Sequence, residues 1–372
     1  MELESSLQAM TEAFERRDEA AFSSAMQEVY ARASSQAVGG RAAASEALLR
    51  SMVAAPPALG ASFAIIVGAL VEQGLESEPL AERLGAPLLE ALVQARPMVA
   101  ALAEAEPAGD DDEDAIWLGQ NAYTTATVAA LAEQMPQASS ALRSLDTWFR
   151  PAVASLTRAP GVLARLQDDP ELRGAIGALA PVSLGAHWLA QLIDSVVSEP
   201  FAFLLPEIDR GVAMTLEGVS DCGQLMVLLS EAMREPLAAL GATVPAGDEI
   251  LAVMRGDGPQ QGSETYGADF HLYPWRAYDP TTRRPENGRF TWSAPGGVGS
   301  HSLPADFQPR TIEPLDGRRV LLVRGPSEGL WTRVISAART FEPLRAAIRD
   351  VEPIDENHRR AWYRAIETAL DA

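Results

Sequence analysis

Lysine is missing from this chain: all 30 basic residues are arginine. Without lysine no Schiff base can form with pyridoxal phosphate or a carbonyl substrate. The phosphate-binding loop GxxxxGK[ST] cannot be written, nor can the lysine that pairs ATP phosphates in kinases. Ordinary P-loop NTPases, kinases and lysine-based aldolases are therefore excluded. Arginine and alanine enrichment together fit GC-rich coding, so a bacterial source is expected.

Cysteine is nearly absent too. Cys222 stands alone, so one chain cannot form an intramolecular disulfide, a cysteine zinc site or a cysteine-ligated iron–sulfur cluster. Cys222 follows Asp221 at what reads as a helix start, ahead of the apolar run 225–229. A helix N-terminus lowers a thiol pKa, whereas a neighbouring carboxylate raises it. A small core cysteine is the plainer reading, and a reactive thiol the sharper one.

Only four histidines are present: His187, His271, His301 and His358. No HxxxH or HExxH spacing occurs, so no helix-borne metal site is expected. The acidic break at 105–114 (AEPAGDDDED) offers oxygen ligands but lacks the glycine and closing glutamate of an EF-hand loop. It reads as a solvated loop. No cofactor is expected.

Long hydrophobic runs are scarce. Residues 51–71 carry no charge over 21 positions, but Pro56-Pro57 interrupts them. The uninterrupted remainder is too short to span a bilayer, so a buried helix and no membrane association are expected. The opening MELESSLQAMTEAFERR is charged throughout and has no apolar core. No signal peptide and a cytoplasmic location are expected.

Acidic charge, by contrast, is plentiful and uneven. Residues 1–250 hold 35 Asp and Glu against 14 Arg, and residues 251–372 hold 16 against 16. The net charge of −21 thus lies in the first two thirds. A pI near 4.6 opposes general nucleic-acid binding, because phosphates would be repelled. Residues 251–372 also hold 12 of the 23 aromatics. This split predicts two differently built parts, 1–240 and 241–372.

Apolar spacing supports that division. Leu3, Leu7, Met10 and Phe14 form an amphipathic stripe. Asp18 then caps a second helix bearing Phe22, Met26, Val29 and Tyr30, and Gly39-Gly40 is expected to end the pair. Further helices are expected at about 41–54, 58–74, 86–105, 114–134, 137–157 and 181–197, with prolines near many starts. The stretches 51–71, 115–132 and 174–193 lack charge, and their Ala and Gly permit close helix approach. After 241 the chain turns rich in Gly and Pro. Strands are expected at 250–254, 270–275, 289–292 and 319–323, with another candidate at 212–219. Two closing helices are expected at 329–349 and 355–370. The predicted fold is mainly α: an acidic helical bundle or short stack of helical pairs, then a smaller α+β part with a short antiparallel sheet.

Three groups of residues could carry function. Asp269 and His271 lie two apart in a strand candidate and would share a face, a common acid–base pairing. Ser300 and His301 lie in GGVGSHS, where glycines allow close backbone approach. A flexible turn is the plainer reading there, since G-x-S-x-G is absent. The densest group is Tyr273, Trp275, Arg276, Tyr278, Arg283, Arg284, Arg289, Phe290 and Trp292. Aromatics interleaved with arginine can form a protein-binding hot spot, stack on bases, or pack intramolecularly.

The sequence is therefore read as a non-catalytic interaction or scaffold protein that binds a protein partner through the arginine–aromatic surface. The alternative is a hydrolase or transferase of unfamiliar type using Asp269, His271, His301 and Ser300. A homo-oligomer stays open.

Overall fold

The computed structural model describes residues 3–106, 108, 115–118, 121–243, 245–285, 302–326 and 332–371. Its contacts divide the chain into two compact units, Met1–Ile193 and Asp194–Ala372.

The first unit is mostly helical. Its elements are α1 (Leu3–Glu15), α2 (Glu19–Ser34), α3 (Val38–Ala54), α4 (Pro57–Glu72), α5 (Glu78–Glu104), a hairpin of β1 (Ala115–Leu118) and β2 (Asn121–Thr124), α6 (Thr125–Gln134), α7 (Pro136–Leu156), α8 (Pro160–Gln167), α9 (Pro170–Leu179) and α10 (Leu184–Ile193). The long α7 lies at the centre, packed on α4, α5 and α10. Its Trp148 is fully buried. Small residues make this packing close. A Cβ on Gly185 of α10 would fall on the backbone of Leu145, and one on Gly68 of α4 would meet Pro151 Cα at 3.1 Å. The uncharged stretch 51–71 contributes most of α4, whose Leu59, Phe63, Ile66, Val67 and Leu70 are buried in this unit. Among the described residues one helix, α5, is long and apolar enough to cross a membrane by length and composition. It buries Leu80, Leu84, Leu88, Leu92 and Leu102 within the unit.

The second unit is α+β. Its elements are β3 (Val196–Leu205), β4 (Arg210–Val219), α11 (Cys222–Ala232), α12 (Arg234–Ala239), α13 (Asp248–Arg255), β5 (Gln261–Ala268), β6 (His271–Pro274), β7 (Tyr278–Asp279), β8 (Arg284–Pro285), β9 (Pro314–Leu315), β10 (Arg318–Arg324), β11 (Arg333–Ala338), β12 (Ala347–Pro353) and α14 (Glu356–Asp371). The main sheet runs β12-β4-β3-β10-β6, with β9 added at the start of β10. It is mixed: β3 and β10 are parallel, and the other pairs are antiparallel. Phe201, Phe203 and Leu204 of β3, Leu321 and Leu322 of β10 and Leu272 of β6 are fully buried. Leu225, Met226 and Leu229 of α11 and Ile250 of α13 belong to the same core. The exposed edge strand β12 carries Arg349, Asp350, Glu352 and Pro353 and a register shift, features that discourage pairing with another chain.

Glu199 on β3 fixes two distant arginines. Its Oε1 accepts from Arg310 Nε and its Oε2 from Arg319 Nε, each at 2.7 Å. Both guanidiniums are largely buried, at 7% and 13% side-chain exposure.

The predicted mainly helical architecture with a C-terminal α+β part matches the structure in outline, and several finer expectations do not. The expected division at 240/241 differs from the observed units, because residues 194–240 supply β3, β4 and α11 to the second unit. The sheet is mixed rather than short and antiparallel for the same reason: β3 arrives from outside the expected segment. Charge does not follow the units either. Met1–Ile193 carries 25 acidic residues against 12 arginines, and Asp194–Ala372 carries 26 against 18.

Locally, 250–254 is helical, not extended. Asp248 and Glu249 favour a helix N-terminus, and Gly256, at φ 89°, ends the helix. Within the expected helix at 329–349 the described residues hold β11 and the start of β12, each paired with a strand far away in sequence. The expected helix at 114–134 begins only after the β1–β2 hairpin. Gly39 and Gly40 sit inside the first turn of α3 rather than ending a helix pair. Pro87, expected near a helix start, lies within α5, as does Pro97. Tertiary packing overrides these local signals.

Candidate functional site

The second unit separates the residues of the predicted arginine–aromatic surface. Tyr273 lies in the core at 0% exposure, beside Leu322 across the β6–β10 pairing. Trp275 is also buried, at 2% exposure. Its Nε1 donates to Glu313 O at 2.9 Å, and the Arg276 guanidinium lies 4.5 Å from its ring centroid. Arg276 itself donates from Nε to Glu313 Oε2 at 3.0 Å. Tyr278 is buried against Tyr363 of α14, with ring centroids 5.2 Å apart. Thus the three aromatics pack intramolecularly, and the arginine of the pair covers an aromatic face. Arg283 and Arg284 remain exposed at the β7–β8 turn. Arg289, Phe290 and Trp292 lie outside the described residues.

Asp269 precedes β6 rather than lying within it. Both its carboxylate oxygens accept from the Thr243 backbone N–H, at 3.0 and 2.9 Å. His271 is buried at 2% exposure in β6, opposite Arg324. Ser300 and His301 lie outside the described residues.

Cys222 opens α11 behind its N-cap Asp221, whose Oδ1 accepts from Gln224 N at 2.8 Å. Burial pushes the Cys222 thiol well up from its ordinary value, Asp221 pushes it further, and Arg333 opposes both. Its folded-state contribution to stability is therefore full below about pH 8.5, the unfolded thiol value, and is lost as pH rises beyond it. Native protein at pH 8 is expected to leave Cys222 unlabelled by a thiol reagent over hours, whereas unfolded protein reacts within minutes. Rapid native labelling would show an accessible thiolate.

A different feature emerges in the helical unit. A groove of about 1510 Å³ opens where seven helices end or pass. The end of α1 and start of α2 supply Phe14, Glu15, Arg17, Asp18, Glu19 and Phe22. The α3–α4 turn supplies Ala54, Ala55, Pro56, Pro57, Ala58 and Leu59. The α6–α7 turn supplies Ala132, Glu133, Pro136, Gln137, Ser140 and Arg143, and α5 adds Glu90 and Gln94. Leu59 and Phe63 are buried in its floor. Phe14 and Phe22 are half-buried, with ring centroids 5.9 Å apart.

Local sequence explains the arrangement. Asp18 caps α2 by accepting from Ala21 N at 3.0 Å, after Arg17 turns the chain at φ 56°. Pro57 and Pro136 sit in the first turns of α4 and α7, where a missing N–H costs little. The rim carries five carboxylates (Glu15, Asp18, Glu19, Glu90 and Glu133) against two arginines (Arg17 and Arg143). No ion pair joins any of these seven among the described residues. The sequence reading treated Phe14 and Phe22 as core residues of amphipathic helices. Nothing local marks the groove, because its walls come from positions 11 to 143.

Chemically, an apolar floor with an anionic rim suits reversible binding. The groove exceeds the roughly 300–1,000 Å³ of typical small-molecule pockets and fits a segment of polypeptide better. No protein-family model, curated protein or solved structure matches the chain.

Proposed function

We propose that this chain is a non-catalytic protein-interaction protein whose binding element is the groove of its helical unit. The observation that supports this is the groove itself: apolar side chains line its floor, and its rim charges form no ion pair within the described residues. The reading keeps the interaction role expected from the sequence and moves the surface. Buried Tyr273, Trp275 and Tyr278 cannot act as exposed anchors, whereas Phe14 and Phe22 remain partly open. The hydrolase alternative would have to work through His271, which is buried at 2% exposure.

A photoreactive amino acid at Ser140 tests the reading in the source cell. Ser140 lines the groove and is half-buried. The expected result is one specific protein adduct. Ala58→Trp, which fills the groove from the α4 side, is expected to abolish that adduct while preserving the thermal transition. Absence of any adduct, or an adduct unaffected by Ala58→Trp in a folded chain, would overturn the proposal.

A further inference from the structure

We infer that the occupant of the groove is a cationic amphipathic helix of another protein, with arginine or lysine on one face and leucine-like side chains on the other. This inference rests on the groove being the binding element and names the chemistry of its partner.

Charge argues for the cation. Glu15, Asp18, Glu19, Glu90 and Glu133 outnumber Arg17 and Arg143 around the opening. Among the described residues no ion pair balances them. Glu90 accepts a neutral hydrogen bond from Gln94 Nε2 at 2.9 Å, and Asp18 spends one oxygen on its helix cap. Unpaired carboxylates at a rim repel an acidic segment and attract a basic one, both in encounter and in register. The unit as a whole reinforces this, with 25 acidic residues against 12 arginines. Arg17 and Arg143 leave room for an acidic residue in the partner, but the balance stays anionic.

Apolar chemistry argues for the amphipathic face. Leu59 and Phe63 close the floor, Phe14 and Phe22 form one wall, and Pro56, Pro57 and Pro136 stand at the helix turns. A purely polar basic tail would leave the half-buried Phe14 and Phe22 rings and the exposed Pro56 and Pro136 wet. Size accommodates a helix. A helix with side chains is about 10–12 Å across and rises about 1.5 Å per residue, so the groove volume corresponds to roughly ten residues, nearly three turns. Anchors spaced i, i+4 and i+7 along such a segment can reach the floor while the opposite face meets the rim.

The experiment titrates the full chain against three synthetic 14-residue helical peptides. All share one leucine face, and their polar faces are arginine, glutamine or glutamate. The expected result is saturable binding of the arginine peptide, at least tenfold tighter than the glutamine peptide, with none for the glutamate peptide. The triple variant Glu15→Gln, Glu19→Gln, Glu133→Gln is expected to weaken the arginine peptide about tenfold and leave the glutamine peptide unchanged. Rising salt should weaken the arginine peptide alone. Saturable binding of the glutamine or glutamate peptide at equal or better affinity, lost in Ala58→Trp, would overturn the cationic partner while retaining the groove as a protein-binding element. Failure of all three peptides, or binding unaffected by Ala58→Trp, would overturn both.

Discussion

A fragment beginning at Asp194 is expected to fold with a cooperative thermal transition, and one beginning at residue 241 is not. The charge and composition of the sequence place a seam near 250, so the second fragment is the one a sequence-based division would produce. The sheet explains the difference. In the order β12-β4-β3-β10-β6, the strands β3 and β4 occupy the middle. Removing them leaves β12 without a partner and bares the edge of β10. It also removes Phe201, Phe203, Leu204 and Leu205, all at 0% exposure. At about 1.5–3 kcal/mol for each large buried side chain, these four alone represent about 6–12 kcal/mol. That matches the whole stability of an ordinary domain, about 5–15 kcal/mol. Circular dichroism melts of the two fragments read the outcome. Equal cooperativity in both would mean that β3 and β4 are dispensable, contrary to the observed pairing.

Replacing Glu199 with alanine is expected to destabilise the second unit by about 3 kcal/mol or more. Each oxygen of this carboxylate holds a different guanidinium at 2.7 Å. Removing it takes the Glu199 carboxylate away from two largely buried cations at once. Breaking a buried pair from one side typically costs about 3–5 kcal/mol, because the remaining charge stays desolvated. Glu199 itself is 22% exposed, which places the cost near the lower end of that range. For a unit of this size the loss corresponds to roughly 6–12 °C in Tm. Arg310→Ala should cost less, since Glu199 keeps Arg319. Urea denaturation of the single and double variants gives the coupling directly. A Glu199→Ala effect below about 1 kcal/mol would show that water reaches both arginines in solution.

The two predictions probe the same lesson about legibility. Where a signal is local and strong, the sequence reading agrees with the structure. Asp18 caps α2, Asp221 caps α11, and Asp355 accepts from His358 N at 2.9 Å at the start of α14. Strands β4 and β10 fall at the expected positions, because their apolar runs are bounded by good turns. Agreement fails where one segment has two readings of similar local merit. The run 250–254 is short and apolar and fits a strand or a helix. Residues 333–338 and 347–353 carry arginine and alanine, good helix formers, yet they pair with β5 and β4. The energy that decides these cases comes from partners about 70 and 130 positions away.

The binding surface shows the same division. Alternating tyrosine, tryptophan and arginine in 273–284 looks identical in sequence whether it faces solvent or core. Tyr363 of α14 and Glu313 decide it, by stacking on Tyr278 and accepting from Trp275. The groove is invisible for the converse reason. It has no motif, only the ends of helices whose spacing along the chain is unrelated to their proximity.

The sequence by itself determined the excluded chemistries, the acidic character, the positions of most helices in the first unit and the Asp18 cap that begins α2. These follow from residue identity and from interactions reaching four positions or fewer. Tertiary structure alone decided that the second unit begins at Asp194, that its sheet is mixed, that the arginine–aromatic residues are largely packed inward, and that seven helices frame one groove. Each of these depends on buried area and hydrogen bonds between distant segments, and a linear pattern carries no record of which distant segments meet.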